Sequence, residues 1–308
     1  MRIVRHPGSG QRDTALAIGS FDGVHRGHAQ LLARVQSEAQ ARALESAVLT
    51  FEPLPREFFS PATAPERLTS LAERLEAIAA LGIETAFVQR FDARFAAIAA
   101  EEFARRLRDL HRCRWVVVGA DFRYGARRAG DARSLAEAGR RLRFEVDTLA
   151  AVESDGERIS STRVRAALAH GDFALAERLL GRRYAISGRV VHGAERGRAL
   201  GFPTANLRLG RPKAALHGVF AVKCFGAATR GLEGVASLGI NPAVKDGGPE
   251  TLEAFLFDFS GDLYGRRLTL EFVKKLRDEA HFASLDELAA QIRRDCDTAR
   301  AFFRATES

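Results

Sequence analysis

Two histidines three residues apart, His25 and His28, stand in the run Gly19-Ser20-Phe21-Asp22-Gly23-Val24-His25-Arg26-Gly27-His28. Residues at i and i+3 of a helix share a face, so both imidazoles can meet one ligand. In front of them Ala15-Leu16-Ala17-Ile18 reads as a buried strand. Behind them Leu31, Leu32 and Val35 recur at helical spacing. The decamer is therefore a strand-to-helix turn. Gly19 permits a sharp turn, and Gly23 and Gly27 let backbone approach a ligand closely. The free N–H groups at a helix start favour an anion. Imidazoles, glycines and helix N–H groups together suit a polyphosphate. The plainer alternative is a pair of capping histidines.

Three further stretches carry chemistry. Gly119-Ala120-Asp121-Phe122-Arg123-Tyr124-Gly125 follows another apolar run and offers a carboxylate and aromatic faces. Such faces suit a planar ring, or they pack as an apolar loop under a sheet. Arg158-Ile159-Ser160-Ser161-Thr162-Arg163-Val164-Arg165 opens a helix at Arg163–Ala169. Hydroxyls, helix N–H groups and arginines make either a phosphate clamp or a plain capped helix. In Gly193-Ala194-Glu195-Arg196-Gly197-Arg198-Ala199-Leu200-Gly201-Phe202-Pro203-Thr204-Ala205-Asn206, Gly193, Gly197 and Gly201 recur every fourth residue. They wrap a phosphate chain or form a hairpin. Thr204 and Asn206, at i and i+2, present hard oxygen atoms on one strand face, which suits Mg²⁺.

The elements that position these residues change character along the chain. To about residue 180 strands and helices alternate. Strands are expected at Ala47–Phe51, Thr85–Val88, Trp115–Gly119 and Arg143–Thr148, with helices at Leu68–Leu81, Ala100–Leu110 and Leu135–Leu142. That rhythm gives an α/β domain with a mostly parallel sheet, whose ligands sit at the carboxyl ends of the strands. A short helix at Ala174–Leu180 and a linker, Gly181–Tyr184, follow. Beyond them short β segments recur at Ile186–Val191, Val219–Phe225, Leu232–Leu238, Ala254–Phe259 and Leu268–Phe272, with a terminal helix at Leu285–Phe303. Glycines punctuate them, as in a small antiparallel barrel. The expected domains are 1–180 and 181–308.

At 308 residues, 46% hydrophobic and 28% charged, the chain is long enough for two ordinary cores. No secretory leader or membrane span is expected. Cys113, Cys224 and Cys296 lie far apart, which excludes zinc spacing and a disulfide framework and fits a cytoplasmic chain. No lysine precedes Lys213, so a Walker-type phosphate loop is excluded from the first half. The formal net charge is +8, but the arginines are spread along helices such as Phe103–Arg112 and Ala132–Arg143. Neither a nucleic acid nor a membrane is the expected partner.

The pattern G-x-F-D-G-x-H-x-G-H resembles the signature of the HxGH nucleotidyltransferases, which are Rossmann-like, and its wording is closest to the flavin-adenylylating branch. With the other segments in this order, nearly the whole chain resembles the bifunctional riboflavin kinase/FAD synthetase family. That resemblance implies that riboflavin is phosphorylated to FMN, and FMN adenylylated to FAD, with ATP and Mg²⁺. It implies ATP binding by Gly19, Phe21, Asp22, His25, His28, Ser161, Thr162 and Arg165, with His25, His28 and Arg165 catalytic. It sets Asp121, Phe122, Tyr124 and Arg158 near FMN. The run Gly193–Asn206 resembles the flavokinase signature, with Gly193, Gly197, Gly201, Thr204 and Asn206 at Mg-ATP. Glu253, in Thr251-Leu252-Glu253-Ala254-Phe255, matches the family's catalytic Glu, a residue that otherwise reads as an exposed strand start. Arg277 and Phe282 match a flavin-contacting stretch. The chain departs from the pattern at Phe255, where the family commonly has His, and at Asn241-Pro242-Ala243-Val244, where Arg-Pro-Thr is commoner. Small molecules are the expected partners, and a monomer or weak homo-oligomer the expected state.

Overall fold

The computed structural model describes residues 1–8, 12–193, 201–226, 229–240 and 250–306. Contacts divide the chain into two compact units. One comprises Met1–Pro65 and Arg74–Ser160, the other Glu66–Glu73 and Ser161–Ser308.

The first unit is built on a parallel sheet of β1 (Arg2–Val4), β2 (Thr14–Ile18), β3 (Glu45–Glu52), β4 (Thr85–Arg90), β5 (Cys113–Gly119) and β6 (Glu145–Leu149). Their order in the sheet is β1-β4-β3-β2-β5-β6. Every residue of β2 is buried. A central parallel strand is covered on both faces, which is why it reads as one apolar run rather than an alternation. Helix α1 (Arg26–Ala41) lies against β2, β3 and β5, with Leu32 and Val35 buried. Helix α2 spans Leu71–Ala80. On the other face Leu16, Ile18, Leu49, Phe87 and Val116 pack with Phe103 and Leu107 of α3 (Ala100–Asp109) and with Leu135 and Ala138 of α4 (Ala132–Leu142). Several helix-face arginines are in ion pairs, Arg106 with Glu102, Arg141 with Glu101, and Arg42 with both Glu38 and Glu145.

In the second unit α5 (Ser161–Ala169) and α6 (Phe173–Leu180) precede a closed barrel. Its strands are β7 (Ala185–Val191), β8 (Ala205–Arg208), β9 (Gly218–Gly226), β10 (Thr229–Ile240), β11 (Glu250–Leu256) and β12 (Arg267–Arg277). They close antiparallel in the order β7-β8-β11-β10-β9-β12. Alternate residues such as Leu207, Leu252, Ala254, Leu268 and Leu270 are buried. Outside, Val219, Ala221, Val235 and Phe257 pack under Cys296, Ala299 and Phe303 of the terminal helix α7 (Leu285–Thr306).

The structure departs from the sequence expectation at several boundaries. Helix α2 starts at Leu71, not Leu68, because Ser70 and Glu73 cap it reciprocally: Ser70 Oγ accepts the Glu73 N–H, and a Glu73 carboxylate oxygen accepts the Ser70 N–H. The residues before the cap run extended, with Arg67 bridged to Ala214. The segment read as a linker ends in a buried residue: Tyr184 donates its hydroxyl to the Leu68 carbonyl at 3.0 Å. Arg211 completes this cluster by pairing with Glu73. Arg143, expected in a strand, is the left-handed residue that ends α4. The strand holding Glu253 begins at Glu250 and ends at Leu256, so Glu253 lies mid-strand.

His111 is 5% exposed, with its ring edge-on to Phe87 at 4.8 Å. Burial, with a smaller contribution from Arg106, pushes its pKa down to about 4. The folded ring is therefore neutral where the unfolded ring takes a proton. This contribution is complete above the ordinary value near 6.5 and is lost as pH falls toward 4. Between pH 7 and 4.5 the wild-type chain should lose about 2 kcal/mol more stability than His111→Phe. Urea unfolding at the two pH values checks this, and equal losses would contradict it.

Candidate active sites

The turn after β2 is tightly built. His25 is the N-cap of α1, and its Nδ1 accepts the His28 N–H at 3.3 Å. The two rings stack, centroids 3.7 Å apart and 15° from parallel. Phe21 meets His28 edge-on at 5.2 Å. A Cβ on Gly27 would lie 3.2 Å from the His25 ring, so the close turn needs glycine there. Phe21 and Val24 take positive φ, 51° and 42°. That is a true outlier for a β-branched residue such as Val24. Burial, and then the nearby His25, hold the His28 pKa well below its ordinary value. Its Nδ1 is buried without a hydrogen-bond partner among the described residues. Asp22, six residues earlier, is also buried.

Strand β5 neighbours β2, so the loops at their carboxyl ends are adjacent. Asp121 accepts a hydrogen bond from Arg158 at 2.9 Å, and both side chains are more than half exposed. The next residue, Ile159, has its carbonyl 3.8 Å from where a Gly27 Cβ would be. The Arg158-Ile159 pair thus touches both loops. The two aromatics of the second loop differ. Phe122 is partly buried, while Tyr124 is buried against Phe103 with its hydroxyl 3.4 Å from Ser134. Burial raises the Tyr124 pKa. Of the two readings of this loop, Tyr124 follows the packed one. Ser161 and Thr162 open α5 in the second unit, and Arg165 in that helix donates to the Glu66 carbonyl.

On the barrel, the register sets Asn206 opposite Glu253, and Glu253 opposite Ser237. Because side chains alternate across a strand, these share one outer face while Ala205, Leu207, Leu252 and Ala254 point inward. Thr204, two residues before Asn206, donates its hydroxyl to Glu253 Oε2 at 3.3 Å. A Cβ on Gly193 would fall 2.4 Å from the Asn206 carboxamide, so glycine leaves room for that side chain. Gly201 takes a φ of +85°. Gly197 and the Asn241–Val244 loop lie outside the described residues. Phe255 packs edge-on to Phe202 at 5.4 Å in the outer apolar layer.

Arg277 is bound to α7. Its Nε and Nη2 reach the Asp295 carboxylate at 3.0 and 2.8 Å, and its guanidinium lies 5.7 Å from the Phe282 ring centre. Gln291 also donates to Asp295. Asp295, Ser237 and Phe202 complete this neighbourhood and were not singled out from the sequence. Their partners are distant in the chain, so no local spacing marks them. Among the described residues no group of three His, Cys, Asp or Glu side chains could hold a metal. Thr204 and Asn206 offer neutral hard oxygen atoms instead, which fits a Mg²⁺ that keeps phosphate oxygens and water. No described helix is long and apolar enough to cross a membrane.

A strand-end imidazole turn on a parallel sheet, with an oxygen-donor row on a separate barrel, defines a two-module nucleotide-using enzyme. Family models agree: residues 8–163 match FAD synthetase, and residues 180–303 match riboflavin kinase. The chain is 48% identical over 298 residues to the bifunctional riboflavin kinase/FMN adenylyltransferase of Escherichia coli (strain K12), covering 96% of this chain and 95% of that protein. It is 45% identical over 291 residues to the protein of that name from Pseudomonas fluorescens, covering 94% and 93%. A crystal structure titled macrolide-efflux protein from Streptococcus pneumoniae superposes with a TM-score of 0.80 at 30% identity, over 97% of this chain and 98% of that one. This chain belongs to the bifunctional riboflavin kinase/FMN adenylyltransferase family. It is an enzyme with a FAD synthetase module and a riboflavin kinase module.

The close fit at Gly193 gives a direct test of the barrel face. Gly193→Ala should push the Asn206 carboxamide aside and raise the KM for ATP in riboflavin phosphorylation about tenfold, since ångström displacements in a reacting site are costly. The rate of FMN adenylylation in the same preparation should stay unchanged. Initial rates with each flavin separate the two.

Proposed function

We propose that the chain makes FAD from riboflavin in two ATP-dependent steps, one per module, with 181–308 phosphorylating riboflavin and 1–180 adenylylating FMN. The observation that carries this is that the Thr204–Asn206–Glu253 row lies in one unit, on the barrel, and the stacked imidazole pair in the other, on the parallel sheet.

In the kinase step the terminal ribityl hydroxyl of riboflavin attacks the γ-phosphorus of ATP, giving FMN and ADP. A neutral alcohol is barely acidic, so attack benefits from a carboxylate that takes its proton. Glu253 has the right chemistry, and the Thr204 hydroxyl bonded to it fixes its direction. Thr204 and Asn206 would hold Mg²⁺, which neutralises phosphate charge when bound. The glycines of Gly193–Gly201 let the phosphate chain approach the backbone. Arg277, neutralised by Asp295, presents Phe282 to the flavin rather than acting as a free cation.

In the adenylyl step an FMN phosphate oxygen attacks the α-phosphorus of ATP, and pyrophosphate leaves. This nucleophile is already anionic, so positioning and charge stabilisation can supply the acceleration. His25 and His28 donate N–H groups to the ATP phosphates beside the N-terminus of α1. Ser161, Thr162 and Arg165 add hydroxyl, helix N–H and guanidinium donors. Asp121, Phe122 and Arg158 take the FMN end, and Tyr124 supports that loop from within. We place the enzyme in the cytoplasm, as a monomer or weak homo-oligomer. Three buried cysteines, none in a disulfide, support a reducing compartment.

Glu253→Gln should lower FMN formation from riboflavin about 100-fold or more, the scale of a lost general base, and leave FAD formation from supplied FMN intact. His28→Ala should do the reverse. Chromatography of flavin products from each starting flavin reads both. A folded variant that lost both activities would refute one site per module.

A further inference from the structure

Arg74 is 1% exposed and among the largest fully buried side chains of the described residues. Neither reaction step above uses it. Its Nη1 donates to the Ser20 carbonyl at 2.8 Å. Its Nη2 donates to the Phe51 carbonyl at 3.1 Å and to Glu52 Oε2 at 2.8 Å. Ser20 belongs to the imidazole turn after β2. Phe51 and Glu52 end β3, which lies next to β2 in the sheet. One planar fork thus ties two adjacent strand ends together. Thr50 Oγ1 adds a longer bond to the same Ser20 carbonyl at 3.4 Å.

This point in the turn is where an anchor matters. The next residue, Phe21, and then Val24 hold positive φ. Such conformations persist only where surrounding structure over-determines them. A buried guanidinium is costly unless its donors are used, and here both Nη groups are directed onto two main-chain carbonyls and one carboxylate.

We propose that Arg74 is a positioning residue for adenylyl transfer. By clamping the Ser20 carbonyl to the end of β3, it holds Phe21–His28 on the backbone path that aims the two imidazoles at ATP. This rests on the reading of His25 and His28 as ATP ligands.

The test uses the full-length chain with Arg74→Met, Arg74→Lys and Thr50→Val. FMN adenylylation is measured at varied ATP and varied FMN, with riboflavin phosphorylation in the same preparation as the control. For Arg74→Met, kcat/KM for ATP should fall about 100-fold while the KM for FMN and the kinase rates hold, because the loop and not the whole module is displaced. Arg74→Lys, which keeps the charge and part of the donor set, should return to within about tenfold of wild type. Thr50→Val should raise the KM for ATP a few-fold. A role in stability alone would lower the melting temperature and leave the ATP parameters of the folded variant at wild-type values, which would overturn the proposal. Failure of Arg74→Lys to recover any activity would also overturn it. If Arg74→Met does not fold, the other two variants decide, and wild-type ATP parameters in both would refute the clamp. Full adenylyl transfer by His28→Ala would instead sink the ATP-ligand reading itself, and this proposal with it.

Discussion

Helix α1 starts on an imidazole rather than on the hydroxyl or carboxylate that usually caps a helix. His25 Nδ1 accepts the His28 N–H, and accepting there leaves the proton of the neutral ring on Nε2. The His28 ring stacks on that of His25, at 3.7 Å between ring centres. Two cations could not sit so close. Burial and the neighbouring ring both push His28 toward neutrality, so the pair offers N–H donors without stored repulsion. The field that favours an anion then comes from the exposed N–H groups of α1. Nearly everything in the first unit serves this arrangement. Gly27 makes room for the His25 ring, Phe21 braces His28, and buried β2 brings the turn to the carboxyl edge of the sheet.

The barrel meets its own constraint with the pleat. Six short strands closed on themselves leave no free edge, and their inward residues fill the interior. Chemistry is therefore confined to the outer face. There a polar row, Thr204, Asn206, Glu253 and Ser237, runs beside an apolar layer that includes Phe202, Phe255 and Val235. A shift of one residue in the pairing of β11 would turn Glu253 into the core. The register that stabilises the barrel is the same one that presents the carboxylate. Phe255 belongs to the apolar layer, two residues from Glu253 on the same face.

The parallel sheet, the imidazole turn and the barrel were legible because each is written in local spacing. Apolar runs broken by glycine mark β2 and β5, and turn residues separate the barrel strands. The start of α2 was misplaced by three residues because the apolar pattern continues through Leu68, while the stop signal is a polar pair, Ser70 and Glu73. Glu253 read as a strand start because Glu250-Thr251 are polar, yet pairing with β10 carries the strand back to Glu250. Tyr184 and Arg211 gave no sign of burial. Their partners, Leu68 and Glu73, lie more than a hundred residues earlier. The pairing of Arg277 gave no sign for the same reason, since Asp295 lies a strand-to-helix connection away.

On the proposed reading, the acidity of the acceptor explains why the carboxylates of the two units differ in surroundings. Glu253 meets a hydroxyl from Thr204 and no cationic side chain among its described bonds. Asp121 is matched to Arg158 at 2.9 Å on an exposed surface. A phosphate nucleophile, already anionic, needs no base. An arriving phosphate would compete with Asp121 for the same guanidinium. Because the pair is solvated, its own attraction is weak and the exchange costs little. On the proposed reading, the ion pair keeps Arg158 near the imidazole turn while leaving it able to change partners.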